Sequence, residues 1–212
     1  MEQIILIITA LITSSISAII GMGGGVILLG IMAILIPEGY MVIALHGIIQ
    51  MFSNGTRTFV FRQYLKKRLI SEYFFGAIIG LSLSSIIIFV FINLYEVESA
   101  NKIKFDYLKP IIGIYILWFL FLRRSKKEKN NKLFIIVGLI SGISSVFVGA
   151  VGPLISPFFI RKDLKKENVI ANKAGCQIIT HIGKIPIFIY FFNFNYTEHY
   201  PILLPLVLSV YI

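Results

Sequence analysis

The stretch "GMGGGVILLGIMAILIPEGYMVIALHGIIQMFSNGTR", residues Gly21–Arg57, decides how the rest of the chain is interpreted. Nearly all of it is apolar enough to lie in lipid, yet a glycine-rich break at Gly21–Gly25 interrupts the first apolar run. The next run carries a row of polar side chains, namely His46, Gln50, Asn54 and Arg57. Irregular backbone and polar groups at membrane depth are tolerated where protein covers them or where they line a cavity. The stretch therefore indicates an enclosed site among membrane helices.

Composition supports a membrane protein. The 212 residues are 57% hydrophobic and only 14% charged, whereas soluble domains carry about 25% charged residues. The net charge of +10 arises mostly from short connectors between apolar runs, which is typical of membrane topology and argues against nucleic-acid binding. The N-terminus has no basic segment or cleavage site, so we expect the first run to be retained. The single cysteine, Cys176, is interpreted as a packing residue.

The apolar runs predict an all-α polytopic fold with broken helices. The first run breaks at Gly21–Gly25, and a later one breaks at Gly149–Pro153, "GAVGP". The predicted helical runs are Ile4–Ile20 with Val26–Ile36, Met41–Phe61, Ile70–Ile92, Tyr107–Leu122, Leu133–Val148 with Leu154–Ile160, Val169–Phe192 and Pro201–Ile212.

The connectors set the orientation. Three of them are basic and are placed in the cytoplasm: Arg62–Arg68, Arg123–Lys132 and Arg161–Glu167. Two carry more acidic than basic residues and are placed outside: Asn93–Asp106 and Asn193–Tyr200. The broken run between two cytoplasmic connectors must enter the membrane and return, so it is predicted to be a re-entrant hairpin.

The same reasoning applied to the first broken run gives two halves of opposite orientation, an inverted repeat. We therefore divide the chain into a first repeat at 1–122, a basic cytoplasmic linker at 123–132 and a second repeat at 133–212. The last run stops at Ile212, and we expect the second repeat to be incomplete at the C-terminus. The expected location is the cell membrane, which the chain crosses several times.

The residues support the repeat independently. At an offset of 127, Ala44–Arg57 aligns with Ala171–Lys184. Two aligned pairs are identical and four are similar polar pairs: Ala44 with Ala171, Gln50 with Gln177, His46 with Lys173, Ser53 with Thr180, Asn54 with His181 and Arg57 with Lys184. The two breaks align at an offset of 128.

The broken "GMGGG" segment and its second copy "GAVGP", each followed by a helix with this polar pattern, resemble the sulfite exporter TauE/SafE family of membrane permeases. The resemblance covers essentially the whole chain, although Pro153 stands where a glycine is expected and the chain ends earlier than family members usually do. It implies a sulfur oxyanion, such as sulfite or an organosulfonate, as the substrate.

A half-helix that begins at a glycine break presents free N–H groups and a positive dipole end, both of which favour an anion. The alternative is that the glycines only allow close helix packing, which we prefer for Gly47, Gly76 and Gly80. The substrate-binding candidates are Gly23, Gly24, Gly25, Gln50, Asn54, Arg57, Gly149, Gly152, Gln177, His181 and Lys184.

The cations among these candidates have competing interpretations. Lys184 lies deep in its helix with no acidic neighbour there, so a transported anion is the simplest counter-charge. Arg57 either faces the site or extends to the cytoplasmic interface, and Lys173 is expected to extend in the same way. His181 either donates a hydrogen bond or carries a proton, or it is a packing residue.

We predict a permease or exporter for a small anion, driven by a gradient through alternating access, with no enzyme activity and no cofactor or metal. The partners are the anion and the lipid bilayer, and a homo-oligomer is compatible with these features. The alternatives are an intramembrane enzyme acting on a lipid phosphate and a structural or regulatory subunit. A metal-cation transporter fits less well, because the candidate site has no acid cluster.

Overall fold

The computed structural model describes residues 2–20, 23–103, 108–117, 133–159 and 164–211, and every regular element in these ranges is helical. The helices are α1 Glu2–Ile20, α2 Gly24–Leu35, α3 Gly39–Val60, α4 Lys67–Leu94, α5 Leu108–Leu117, α6 Leu133–Phe147, α7 Gly152–Phe159, α8 Lys166–Phe192 and α9 Tyr200–Tyr211. Short 3-10 turns lie at Arg62–Tyr64 and Ala100–Lys102. The all-helical prediction is confirmed. The predicted linker 123–132 lies outside the described residues.

Both predicted breaks interrupt helical structure in the described residues. Gly23 has φ of 98° and precedes α2, and Gly149 has φ of 88° and follows α6. A helix cannot continue through a positive φ, and glycine adopts it without the steric cost that a Cβ atom imposes. Pro153 lies in the first turn of α7, where a missing N–H group removes no helical hydrogen bond. A proline in place of a glycine is therefore compatible with the second break.

Two helices in the described residues, α4 and α8, are long and apolar enough to cross a membrane. Their lengths of 28 and 27 residues exceed the roughly 20 that span a bilayer core. Much of the apolar surface of α4 is exposed, including Phe75 and Ile86. Such a surface is unfavourable in water and suits contact with lipid acyl chains.

The two long helices run in the same direction. At their starts, the Asn172 side chain accepts a hydrogen bond from the Lys66 N–H group at 2.7 Å and donates one to the Tyr64 carbonyl at 3.0 Å. At their ends, Lys102 of the connector after α4 lines a surface depression together with Asn193. The connector Arg62–Arg68 therefore lies beside the start of α8, at what we call the basic end of the molecule.

Helices α4 and α6 form the most extensive contact in the described residues, along a seam of four glycines: Gly76, Gly80, Gly138 and Gly142. A Cβ atom on Gly76 would lie 1.9 Å from the Ile135 carbonyl oxygen, and one on Gly138 would lie 2.2 Å from that of Tyr73. The packing interpretation of Gly76 and Gly80 is therefore confirmed. The next largest contact joins α3 to α8, the two helices that carry the polar rows.

Candidate functional site

A small cavity lies between the two breaks, with α3 and α8 on its sides; we call it the central cavity. Its volume is about 30 Å³, and one water needs about 10–15 Å³ by the same measure. By this measure it has room for about two to three water-sized groups. The lining residues are Ser17, Gly23, Gly25, Val26, His46, Gln50, Arg57, Ala150, Val151, Gly152, Pro153, Ser156, Lys173, Gln177 and His181.

Most of the residues singled out in the sequence meet at this cavity, although they come from four separate helices and both breaks. The predicted candidates in the lining are Gly23, Gly25, Gln50, Arg57, Gly152, Gln177 and His181. Residues more than 100 positions apart in sequence therefore share one small volume.

Two glutamines lie against the two breaks in matching positions. A Cβ atom on Gly25 would lie 2.8 Å from the Gln50 Oε1 atom, and one on Gly152 would lie 2.7 Å from the Gln177 Nε2 atom. Gly152 follows Gly25 by 127 residues, and Gln177 follows Gln50 by the same number. Because each glycine has no side chain, one glutamine amide group fits beside the N-terminus of each helix.

The guanidinium group of Arg57 is held by hydroxyl and carbonyl oxygens. Its Nη1 donates to the Ser17 hydroxyl at 2.8 Å, its Nη2 donates to the Ser53 hydroxyl at 3.0 Å, and its Nε donates to the Ser53 carbonyl at 3.1 Å. These bonds tie α3 to α1 and hold the positive charge at the cavity. Within the described ranges, Arg57 has no carboxylate oxygen within 4 Å.

The two histidines of the lining face each other. Their ring centroids are 6.0 Å apart, and their side chains are 1% (His46) and 2% (His181) exposed. The His46 Nε2 atom donates to the Gly25 carbonyl at 2.8 Å. The Nδ1 atoms of both rings are buried without a hydrogen-bond partner.

The lining offers donors and positive charge. Among the described residues it includes Arg57 and Lys173 but no aspartate or glutamate. Helices α2 and α7 both begin at the cavity, so the positive ends of their dipoles face it. A group with negative charge and several acceptor oxygens is the ligand that such a lining favours.

Lys184 does not line the cavity. It is fully buried, and its Nζ atom donates to the Ile43 carbonyl at 3.0 Å and to the Ser145 carbonyl at 3.4 Å. Ser145 lies in the last turn of α6, where carbonyl groups lack helical partners and the dipole favours a cation. Its stem passes over Gly47, whose Cβ atom would lie 2.3 Å from the Lys184 Cε atom. The structure therefore places Lys184 as a link between α8, α3 and α6.

Three other candidates also lie outside the lining. Gly24 packs on α1, since its Cβ atom would lie 1.9 Å from the Thr13 carbonyl oxygen. Gly149 follows α6, and a Cβ atom on it would contact the side chains of Ile43 and Leu29 at 3.2 Å. The Asn54 side chain is fully buried and donates to the Gln50 carbonyl of its own helix at 2.8 Å.

Several lining residues were not among the sequence candidates. His46 and Lys173 belong to the polar rows, so their spacing in the sequence already indicated that they face the same side as the candidates. Ser17 is one of several hydroxyl residues in α1, and Ser156 is the one hydroxyl residue of α7. Serine in an apolar helix usually bonds to its own backbone. Ser156 does so, donating to the Gly152 carbonyl at 2.6 Å, and no local pattern distinguishes it from a packing serine.

Comparison with known protein families supports the resemblance to membrane permeases noted in the sequence. The family model described as "Sulfite exporter TauE/SafE" matches residues 6–212, essentially the full chain. Neither a curated protein nor a solved structure gives a significant match. The family consists of integral membrane transporters, which agrees with the apolar helices described above. The chain therefore belongs to the sulfite exporter TauE/SafE family of membrane transporters.

Proposed function

We propose that this transporter moves a small anion, a sulfur oxyanion such as sulfite or an organosulfonate, through the central cavity. The observation that carries the proposal is the chemistry of the lining. Two cations, two glutamine amides and two helix N-termini converge on a cavity whose described residues include no carboxylate. A desolvated anion needs many donors at once, and this arrangement gathers donors and positive charge around one volume.

The sulfur chemistry of the substrate rests on the family rather than on the lining. A compact oxyanion of any central atom presents similar acceptor oxygens to Arg57 and to the glutamines. Family membership favours sulfite and sulfonates over phosphate or carboxylates. No observation in the described residues favours the alternative of an enzyme acting on a lipid phosphate.

We infer an inverted repeat with the cavity at its centre. The contacts Gly25–Gln50 and Gly152–Gln177 have the same sequence offset as the two polar rows, and the starts of α3 and α8 share that offset as well. Each half then contributes a broken helix pair and one polar helix. Rocking of one half against the other would expose the cavity to alternate sides of the membrane, driven by an ion or substrate gradient.

Thermal unfolding of the purified protein in detergent tests the proposal. Sulfite and methanesulfonate should raise the melting temperature in a saturable way, because a ligand that binds only the native state stabilises it. The matched controls are chloride at equal ionic strength and choline as a bulky cation. Stabilisation by choline without stabilisation by the oxyanions would overturn the proposed anion site.

A further inference from the structure

The two facing histidines of the central cavity can bind a proton, which anion binding alone does not require. His46 and His181 are nearly fully buried, lie on different helices and each have a buried Nδ1 atom without a hydrogen-bond partner. A buried polar atom with no partner is costly, so such atoms need an explanation. A nitrogen that accepts a proton during the working cycle provides one.

The hydrogen bond of His46 fixes where that proton would go. Because a carbonyl oxygen only accepts, the bond to Gly25 assigns the ring proton to Nε2 and leaves Nδ1 as the basic nitrogen. The carbonyl of Gly149 lies beside the same ring. A protonated His46 ring has two N–H groups, one for the Gly25 carbonyl of the first break and one for the Gly149 carbonyl of the second.

The surrounding charges determine when protonation of the histidine pair is favourable. The charged groups nearest the pair are Arg57 of α3 and Lys173 and Lys184 of α8, while Tyr73 of α4 lies behind α8 against Thr180. Around the pair, α1, α2 and α7 line the cavity with hydroxyl and backbone groups, and α6 presents the Ser145 carbonyl to Lys184. An imidazolium in the empty cavity is therefore repelled by its neighbours, and a bound anion offsets that repulsion.

We propose that His46 and His181 form a proton-coupling site, at which one proton binds to the pair together with the anion. The proton comes from water and adds to a ring nitrogen, and no bond to the anion forms or breaks. With centroids 6.0 Å apart, two imidazolium rings would repel each other, so the pair takes one proton and shares it as a coupled unit. The inference rests on the proposed function and names its coupling ion.

Binding and protonation are then reciprocally linked. If the anion favours the proton, the proton favours the anion to the same extent. Uptake of one proton per anion means that affinity weakens by up to about tenfold for each unit of pH rise.

Isothermal titration calorimetry with methanesulfonate tests this proposal on the full chain. This anion carries no titrating proton of its own, so heats measured at one pH in two buffers of different ionisation enthalpy report the protons taken up by the protein. We expect about one proton per anion in the wild type. In His46→Gln, which retains a donor for the Gly25 carbonyl, and in His181→Asn, the uptake should fall markedly.

The third histidine, His199, lies in the connector before α9 and stacks on Phe194, so His199→Gln is the matched control and should keep full uptake. Binding of methanesulfonate without proton uptake in the wild type would overturn the coupling and leave the anion site intact. Undiminished uptake in the double variant His46→Gln/His181→Asn would also overturn it. Absence of any anion binding would instead overturn the proposed function and the coupling with it.

For variants that fail to fold, the wild type provides a second measurement. In proteoliposomes, an outward methanesulfonate gradient should move protons in the same direction, read as a rise in internal pH by a trapped dye. Anion flux with no pH change contradicts the proposal.

Discussion

At the residue scale, the positions of single side chains were the hardest feature to predict. The polar rows correctly located α3 and α8 as the helices beside a cavity, because spacing of three and four places residues on one helix face. Lys184 shares that face with Gln177, yet its long stem carries the ammonium to the carbonyls of Ile43 and Ser145. Which neighbour a side chain reaches depends on how the helices pack, and this is not encoded in the local pattern.

Gly25→Ala separates binding from stability. The added Cβ atom would meet only the flexible end of Gln50, at 2.8 Å, so the amide is displaced while the fold accommodates the change. We expect anion affinity to fall by about tenfold, the equivalent of one lost hydrogen bond, with the melting temperature unchanged or slightly higher. The measurement is methanesulfonate titration alongside thermal unfolding.

The control for this substitution is Gly55→Ala. Gly55 is also a helical glycine, in α3, and a Cβ atom there has no neighbour within 4 Å among the described residues. It should leave affinity unchanged. Equal affinities for Gly25→Ala and the wild type would mean that Gln50 does not contact the anion.

The contact of Lys184 with Gly47 gives a prediction about stability. Gly47→Ala should lower the melting temperature, because its Cβ atom would lie 2.3 Å from the Lys184 Cε atom in a fully packed region. In a Lys184→Ala background, Gly47→Ala should lower the melting temperature much less, since the lysine stem is gone. A double-mutant cycle of thermal unfolding measures the coupling, and strictly additive effects would exclude this packing.

At the element scale, the helices and breaks followed closely from the sequence. Apolar length and glycine or proline are local signals, so the predicted runs agree with the observed helices to within a few residues at most boundaries. It was harder to predict from the sequence which helices pack against each other. The glycine seam between α4 and α6 joins residues far apart in the chain, and the sequence indicated only that Gly76 and Gly80 pack somewhere.

The seam predicts a large effect of a small substitution. Gly80→Ala would place a Cβ atom 2.1 Å from the Leu139 carbonyl oxygen, a backbone atom that cannot rotate away. We expect a loss of about 1–3 kcal/mol in the free energy of unfolding, the usual cost of overpacking. Gly113→Ala in α5, whose Cβ atom has no described neighbour within 4 Å, is the control and should not destabilise. Denaturant unfolding in detergent compares them, and equal stability of the two variants would argue against the seam.

At the scale of the whole molecule, the contacts between connectors bear on topology. The bonds of Asn172 to Tyr64 and Lys66 bring the basic connector Arg62–Arg68 beside the start of α8, where Lys165 and Lys166 lie. The acidic connector after α4 lies at the other end, beside the end of α8. This distribution is the one that the positive-inside rule produces when the basic end faces the cytoplasm.

Cysteine labelling tests that orientation in intact cells. Single cysteines at Lys67 and Lys165 should be shielded from an impermeant thiol reagent, and those at Glu98 and Thr197 should react, because all four positions are exposed at opposite ends of the molecule. The native Cys176 is buried and should not contribute to labelling. Reaction of Lys165→Cys from outside would remove the second re-entrant hairpin and, with it, the inverted repeat.

The central claim is that the cavity between the two breaks is the path of the anion. Exchange of radiolabelled sulfite by proteoliposomes tests it most directly, in the wild type and in the double variant Gln50→Leu/Gln177→Leu. Leucine is similar in size to glutamine but donates no hydrogen bond, so each substitution should weaken anion binding by about 1–1.5 kcal/mol. The account predicts saturable exchange in the wild type and a loss of roughly a hundredfold in the double variant at equal protein content. Exchange at the wild-type rate in the double variant would show that the anion travels elsewhere.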